Sequence, residues 1–183
     1  MKIVGFVVLA SVCLILTHGQ MGPFDCEVRS FQPAPPSKSG KNLIFFRSRQ
    51  QKLSRKKYNL LIDGQLNIVI SDDLTANVNV AKKTPQGWKE NFFQLEAGPA
   101  CSALKKFVPG ITKDLAIGMK LKKHECPYPR GNYTDVVVNP ELDIQGIPGF
   151  FYSVFRLRIA VSNKTGVLGA FDVMLETSPK KPR

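Results

Sequence analysis

Two stretches of this chain alternate between apolar and polar side chains, a period of two that fits a half-buried β-strand and no helix. In the C-terminal stretch, Phe151, Phe155, Leu157, Ile159 and Val161 share one parity while Arg156 and Arg158 take the other. Ser162-Asn163-Lys164-Thr165-Gly166 then supplies a turn, and Val167, Phe171, Val173 and Leu175 continue against Asp172 and Glu176. This is the pattern of a β-hairpin with one buried face. The earlier stretch sets Tyr58, Leu60, Ile62, Leu66, Ile68 and Ile70 against Asn59, Asp63, Gln65 and Asn67, with Gly64 placed for a bulge or bend.

Further strands are expected over Ala76–Val80, Trp88–Leu95 and Tyr133–Val138. The turn signals Ser71-Asp72-Asp73 and Thr84-Pro85-Gln86-Gly87 bound the first two. One short helix is expected where Ala100, Leu104, Phe107 and Val108 recur at helical spacing. Pro99 suits its first turn and Pro109 stops it. Many strands joined by Gly and Pro turns predict an all-β fold, a two-sheet immunoglobulin-like β-sandwich with one helix.

The N-terminus reads differently. Lys2 precedes a nearly continuous apolar run from Ile3 to Leu16, and Thr17-His18-Gly19 offers the small residues of a cleavage site. The run is too short to span a bilayer, so residues 1–19 are expected to be a secretory signal peptide. Residues 20–57, with their Pro- and Ser-rich Phe31–Lys41, are expected to form a loop-rich segment packed on a sandwich of residues 58–183. The whole of 20–183 is then one structural unit. No later segment is long and apolar enough to form a transmembrane helix, so a secreted, extracellular protein is expected.

Export permits disulfides. Once Cys13 leaves with the signal peptide, Cys26, Cys101 and Cys126 remain, enough for one bond. Cys101 with Cys126 is the preferred pairing and leaves Cys26 free; Cys26 with Cys101 is the competing one. Asn132-Tyr133-Thr134 and Asn163-Lys164-Thr165 are glycosylation sequons at turn signals, where a glycan is accessible.

The net charge of +12 admits an anionic partner such as a lipid surface, a sulfated glycan or an acidic receptor, or simply a solvated basic surface. Nucleic acid is disfavoured by export. The densest basic cluster is Arg47, Arg49, Lys52, Arg55, Lys56 and Lys57.

Catalytic chemistry finds little support. His124 is the only histidine beyond the signal segment, which argues against a histidine-based metal cluster or a Ser-His-Asp site. The acidic pairs Asp72-Asp73 and Glu141/Asp143 fall at a turn and a strand edge, where solvation explains them. No phosphate-cradling glycine loop, zinc motif or calcium loop occurs, and neither cofactor nor metal is expected. A non-enzyme is expected.

What stands out is the phenylalanine content, twelve residues including the pairs Phe45-Phe46, Phe92-Phe93 and Phe150-Phe151. Adjacent residues on a strand face opposite sides, so each pair needs a second cover. A lining for a lipophilic small molecule between the sheets is one such cover. By parity, Phe92, Phe107, Phe151, Phe155 and Phe171 are the candidate lining residues, with Phe93 able to exchange roles with Phe92.

Cys101-Ser102-Ala103-Leu104 opening a helix, then Cys126-Pro127-Tyr128 followed by Gly131 and Tyr133, then a strand, a Pro-Gly break and a closing hairpin, resembles the lipid-recognition superfamily. Within it the chain is most similar to secreted insect proteins related to the ganglioside activator, including the chemosensory B group. The resemblance runs from about Tyr58 to Glu176. It implies a β-sandwich whose sheets separate at one end to admit acyl chains. It also implies transport or presentation of a lipophile without catalysis, in insects for contact chemosensation or other extracellular lipid handling. The chain departs from better-known members in having three cysteines beyond the signal and none near its C-terminus. A lipid carrier is therefore the expected function. The alternative is an extracellular interaction protein whose basic surface meets an acidic receptor, glycan or membrane.

Overall fold

A computed structural model describes residues 21–35, 42–55, 57–123 and 125–181. The expected signal peptide, Cys13, Lys56 and His124 lie outside the described residues. Eleven strands and two helices follow in order: β1 (Met21–Gly22), β2 (Phe24–Pro33), β3 (Ile44–Lys52), β4 (Tyr58–Leu66), β5 (Thr75–Thr84), β6 (Gly87–Pro99), α1 (Ala100–Phe107), α2 (Pro109–Gly118), β7 (Gly131–Val138), β8 (Glu141–Leu142), β9 (Phe150–Phe151), β10 (Val154–Asn163) and β11 (Gly166–Pro179).

The strands form a β-sandwich. One sheet has six antiparallel strands in the order β6-β5-β10-β11-β2-β8, and it faces a three-stranded sheet, β3-β4-β7. The short pair β1-β9 closes one end, matching Met21 to Phe151. The predicted hairpin is β10-β11, with Phe155 opposite Leu175 and Ile159 opposite Phe171, so its apolar parity makes one continuous inner face. The predicted β4 parity also places Leu60, Ile62 and Leu66 in the core, at 0%, 1% and 2% exposure.

The described part of residues 20–57 departs from the expected loop-rich segment. β2 is an interior strand of the large sheet and β3 an edge of the small one. Proline ends β2 instead of excluding it: Pro33 is its last residue, where a missing N–H costs least. β2 and β3 also tie the two sheets together along one side. Phe31 N–H donates to Ser48 Oγ at 2.8 Å, and Tyr58 Oη donates to the Val28 carbonyl at 3.1 Å. Arg29 reinforces the seam by donating to Glu27, Glu176 and the Tyr58 hydroxyl.

The opposite side is covered by helices, two where one was expected. Pro109 does end α1, but it also occupies the first turn of α2, where a proline lacks nothing the helix needs. α2 lies on β7 because Gly118 has no side chain; a Cβ there would run into Val136, backbone included. The Asp72 carboxylate, from the turn before β5, accepts from Ser102 N–H at 2.8 Å and Ser102 Oγ at 2.7 Å. This satisfies an N–H that the first turn of α1 leaves open.

Cys101 and Cys126 are bonded, with Cα atoms 5.7 Å apart. The bridge fixes the start of α1 to the segment that follows α2. Tyr128 completes the attachment: it pairs with Ile70, and its hydroxyl donates to the Thr112 carbonyl at 3.2 Å. Cys26 is a buried free thiol on β2.

Candidate functional site: an apolar cavity between the sheets

Along the inner face of β10, burial rises at both ends and falls in the middle. Phe155 and Val161 are 0% and 5% exposed, while Leu157 and Ile159 between them are only half-buried. β5 repeats the pattern, with Ala76 and Val80 buried around a half-buried Val78. Interior strands of a close-packed sandwich should be most buried at their centres. The reason is a cavity of about 260 Å³ over Val78, Leu157 and Ile159.

The wall of this cavity is built by both sheets and both helices. β2 contributes Phe24, Val28 and Phe31; β3 and β4 contribute Ile44, Phe46 and Ile62; β11 contributes Phe171, Val173 and Leu175. Leu104 and Phe107 of α1 and Ile111 and Leu115 of α2 form the helical wall. Phe93, at 47% exposure, is the one wall residue that is largely open to solvent. Phe93 on the β6 edge therefore marks the open side of the cavity, its mouth, and the loop carrying Ile144 and Ile147 also lines the cavity. That loop is tied to the end of α1 by Gln145 N–H donating to the Phe107 carbonyl at 3.1 Å.

The few polar side chains at the wall are already satisfied. Thr177 Oγ1 donates to the Phe151 carbonyl at 2.6 Å and accepts from Ser153 N–H at 3.0 Å. Tyr128 is committed to Thr112. Burial, with Glu27 adding, pushes the Cys26 thiol up to about 12, so it stays a neutral, apolar part of the wall at physiological pH. No buried side-chain nitrogen or oxygen among the described residues lacks a hydrogen-bond partner. The cavity thus offers contact to apolar groups and no donor or acceptor to a polar one.

The predicted lining residues divide. Phe107, Phe155 and Phe171 stand on the wall. Phe92 and Phe151 do not. Their rings meet edge-on at 5.3 Å between centres, and Phe92 packs on Phe155 at 6.1 Å, so they form a layer behind the wall. Phe93 takes the wall position that parity assigns to Phe92. The cause is an irregularity between Val80 and Lys82 in the β5-β6 register, with Asn91 in the left-handed region at φ 51°. The expectations missed Phe24, Phe31, Phe46 and Phe150. Phe24, Cys26 and Val28 do alternate in sequence, and that was the available signal. A bulge at Arg29 then shifts the inward parity to Phe31.

The sequons lie at exposed positions. Asn132 is exposed at the start of β7, and Asn163 is exposed in the β10-β11 turn, where its Oδ1 accepts from Thr165 N–H at 2.9 Å. The basic cluster around β3 is partly neutralised. Arg47 and Arg49 both reach Asp63, at 3.3 and 3.4 Å, and Arg49 also pairs with Asp135.

Neither a family model nor any curated protein matches this chain. Among the described residues, no helix is long and apolar enough to cross a membrane, and no cluster of His, Cys, Asp and Glu has the make-up of a metal site.

Proposed function

We propose that this protein is a secreted, non-enzymatic carrier or presenter of a lipophilic small molecule held between its two sheets. The observation that carries the proposal is the cavity of about 260 Å³, whose wall is apolar and whose polar atoms are spoken for. Apolar wall atoms facing this space lack the packing partners that a filled core would give them. A bound apolar molecule supplies those contacts and takes the apolar wall out of water. Apolar cavities of about 150 Å³ hold a benzene-sized guest, so this one suits a larger hydrocarbon group or a short acyl chain.

Secretion is supported by the N-terminal apolar run and agrees with the Cys101–Cys126 bond. The resemblance of Cys101–Leu104 and Cys126–Tyr133 to the lipid-recognition superfamily supports the same function, and its insect members point to chemosensory lipids as ligands. The interaction-protein alternative is weakened by the pairing of Arg47 and Arg49 with carboxylates.

The test uses protein secreted from eukaryotic cells, stripped of bound lipid under mild conditions. N-phenyl-1-naphthylamine should gain fluorescence on mixing with it, and a neutral alkanol should displace the probe. A protein that takes up no probe, and that carries no extractable lipid before stripping, has a solid interior and is not a carrier.

A further inference from the structure

Lys82 of β5 and Lys89 of β6 stand directly opposite each other. Their ammonium groups converge on one ring: Lys82 Nζ lies 5.4 Å from the centre of Phe92 and Lys89 Nζ lies 5.6 Å from it. Lys82 also sits 4.8 Å from the centre of Phe151. Like charges directly opposed across antiparallel strands repel, and cation–π attraction offsets only part of that. Arginines elsewhere in this molecule meet carboxylates, as Arg47 and Arg49 meet Asp63 and Arg156 meets Glu90. Among the described residues, neither Lys82 nor Lys89 forms an ion pair. Functional sites are where natural proteins keep local conflicts of this kind.

The place of the pair says what would compensate it. The rings that the lysines approach adjoin the cavity wall: Phe92 rests on the wall residue Phe155, which stands opposite Lys82 across β5 and β10. Phe93, the exposed wall residue at the mouth, follows Phe92 on the same strand. An amphiphile whose chain enters past Phe93 therefore has its polar end near β6, close to two free ammonium groups. Its polar end cannot follow the chain inward, because the wall has no unused hydrogen-bonding group and burying an unpaired charge is prohibitive.

We infer that the carried molecule is an amphiphile with a compact anionic headgroup, held in water between Lys82 and Lys89 while its chain fills the cavity. This rests on the carrier reading and adds the class of ligand to it. The anion turns a repulsive pair into a charge-assisted site with ammonium donors on both sides.

The test compares decanoate with decanol as displacers of N-phenyl-1-naphthylamine from wild-type protein, from Lys82→Gln/Lys89→Gln, and from Lys122→Gln/Lys123→Gln. The last changes net charge equally at an exposed turn. Loss of two partly exposed ion pairs should weaken decanoate roughly 3- to 10-fold in the first variant. Decanol should displace the probe equally from all three proteins, which also shows that the variants are folded. The decanoate effect should shrink as salt is raised, since about 0.1 M salt screens charges beyond roughly 10 Å. Decanoate binding unchanged in Lys82→Gln/Lys89→Gln, or weakened as much in the control variant, overturns the inference and leaves the carrier reading intact. A wild-type protein that takes up neither probe nor decanol overturns both.

Discussion

Arg158 and Asp172 face each other across the β10-β11 hairpin and are joined by two parallel hydrogen bonds of 2.8 and 2.9 Å. Asp172 is only 6% exposed, although it lies on the outer face of the large sheet. The planar guanidinium matches the carboxylate in two places at once. Arg158→Met leaves that carboxylate poorly solvated and should cost about 1–3 kcal/mol in urea unfolding. The double variant Arg158→Met/Asp172→Leu should be less destabilised than Arg158→Met alone. Two additive losses would show that the pair makes no coupled contribution.

The cavity makes opposite predictions for two substitutions on its wall. Val78 and Phe155 both belong to it, but Phe155 is 0% exposed while Val78 borders the open space. Val78→Phe should fill that space, abolish probe uptake, and change stability by less than about 1.5 kcal/mol. Phe155→Ala enlarges an existing void and should cost about 3–5 kcal/mol. Thermal melts and probe titrations on both variants decide the matter. A Val78→Phe protein that binds the probe like wild type places the ligand elsewhere.

The Cys101–Cys126 bond closes a separation of 25 residues and anchors the start of α1, which forms part of the cavity wall. Cys101→Ser/Cys126→Ser should lower stability by about 2–5 kcal/mol. For a chain of this size that lowers the Tm by roughly 5–15 °C. Because α1 carries Leu104 and Phe107, probe affinity should fall as well, even well below the new Tm. Unchanged affinity would mean that packing alone holds the helical wall.

Alkaline pH tests the burial of two groups at the wall. Burial pushes Cys26 from 9.0 and Tyr128 from 10.0 up to about 12 in the folded protein, with a hydrogen bond to Thr112 opposing the shift for Tyr128. Between these values the unfolded chain loses protons that the folded chain keeps, so unfolding is favoured. Stability should be fully present below about pH 9 and fall toward pH 12, by up to about 1.4 kcal/mol per pH unit for each group. Urea unfolding across that range reads the slope. Cys26→Ala should flatten it between about pH 9 and 10, where only the thiol contributes. An unchanged slope there would show that the thiol is accessible.

Local information was enough for much of this architecture. The alternation through β4, β5, β10 and β11, the turn at Ser162–Gly166, and the limits of α1 at Pro99 and Pro109 depend on neighbouring residues and their backbone preferences. The sequons are exposed as expected, although Asn132 lies within β7 and not in a turn. The pairing of Cys101 with Cys126 was the preferred one of two, and the fold selects it by bringing their Cα atoms to 5.7 Å. Only tertiary pairing settled the rest. Long-range partners draw Phe24–Pro33 into the large sheet, between β11 and β8, although it runs into the Pro- and Ser-rich stretch Phe31–Lys41 that reads as a loop. The bulges at Arg29 and near Asn91 reset parity, and so decide that Phe31 and Phe93, not Phe92, meet the cavity. The cavity itself is a deficit of volume between two sheets and two helices. Periodicity shows which side chains face inward; whether together they fill the space is a property of all their volumes at once, and that exists only in the folded chain.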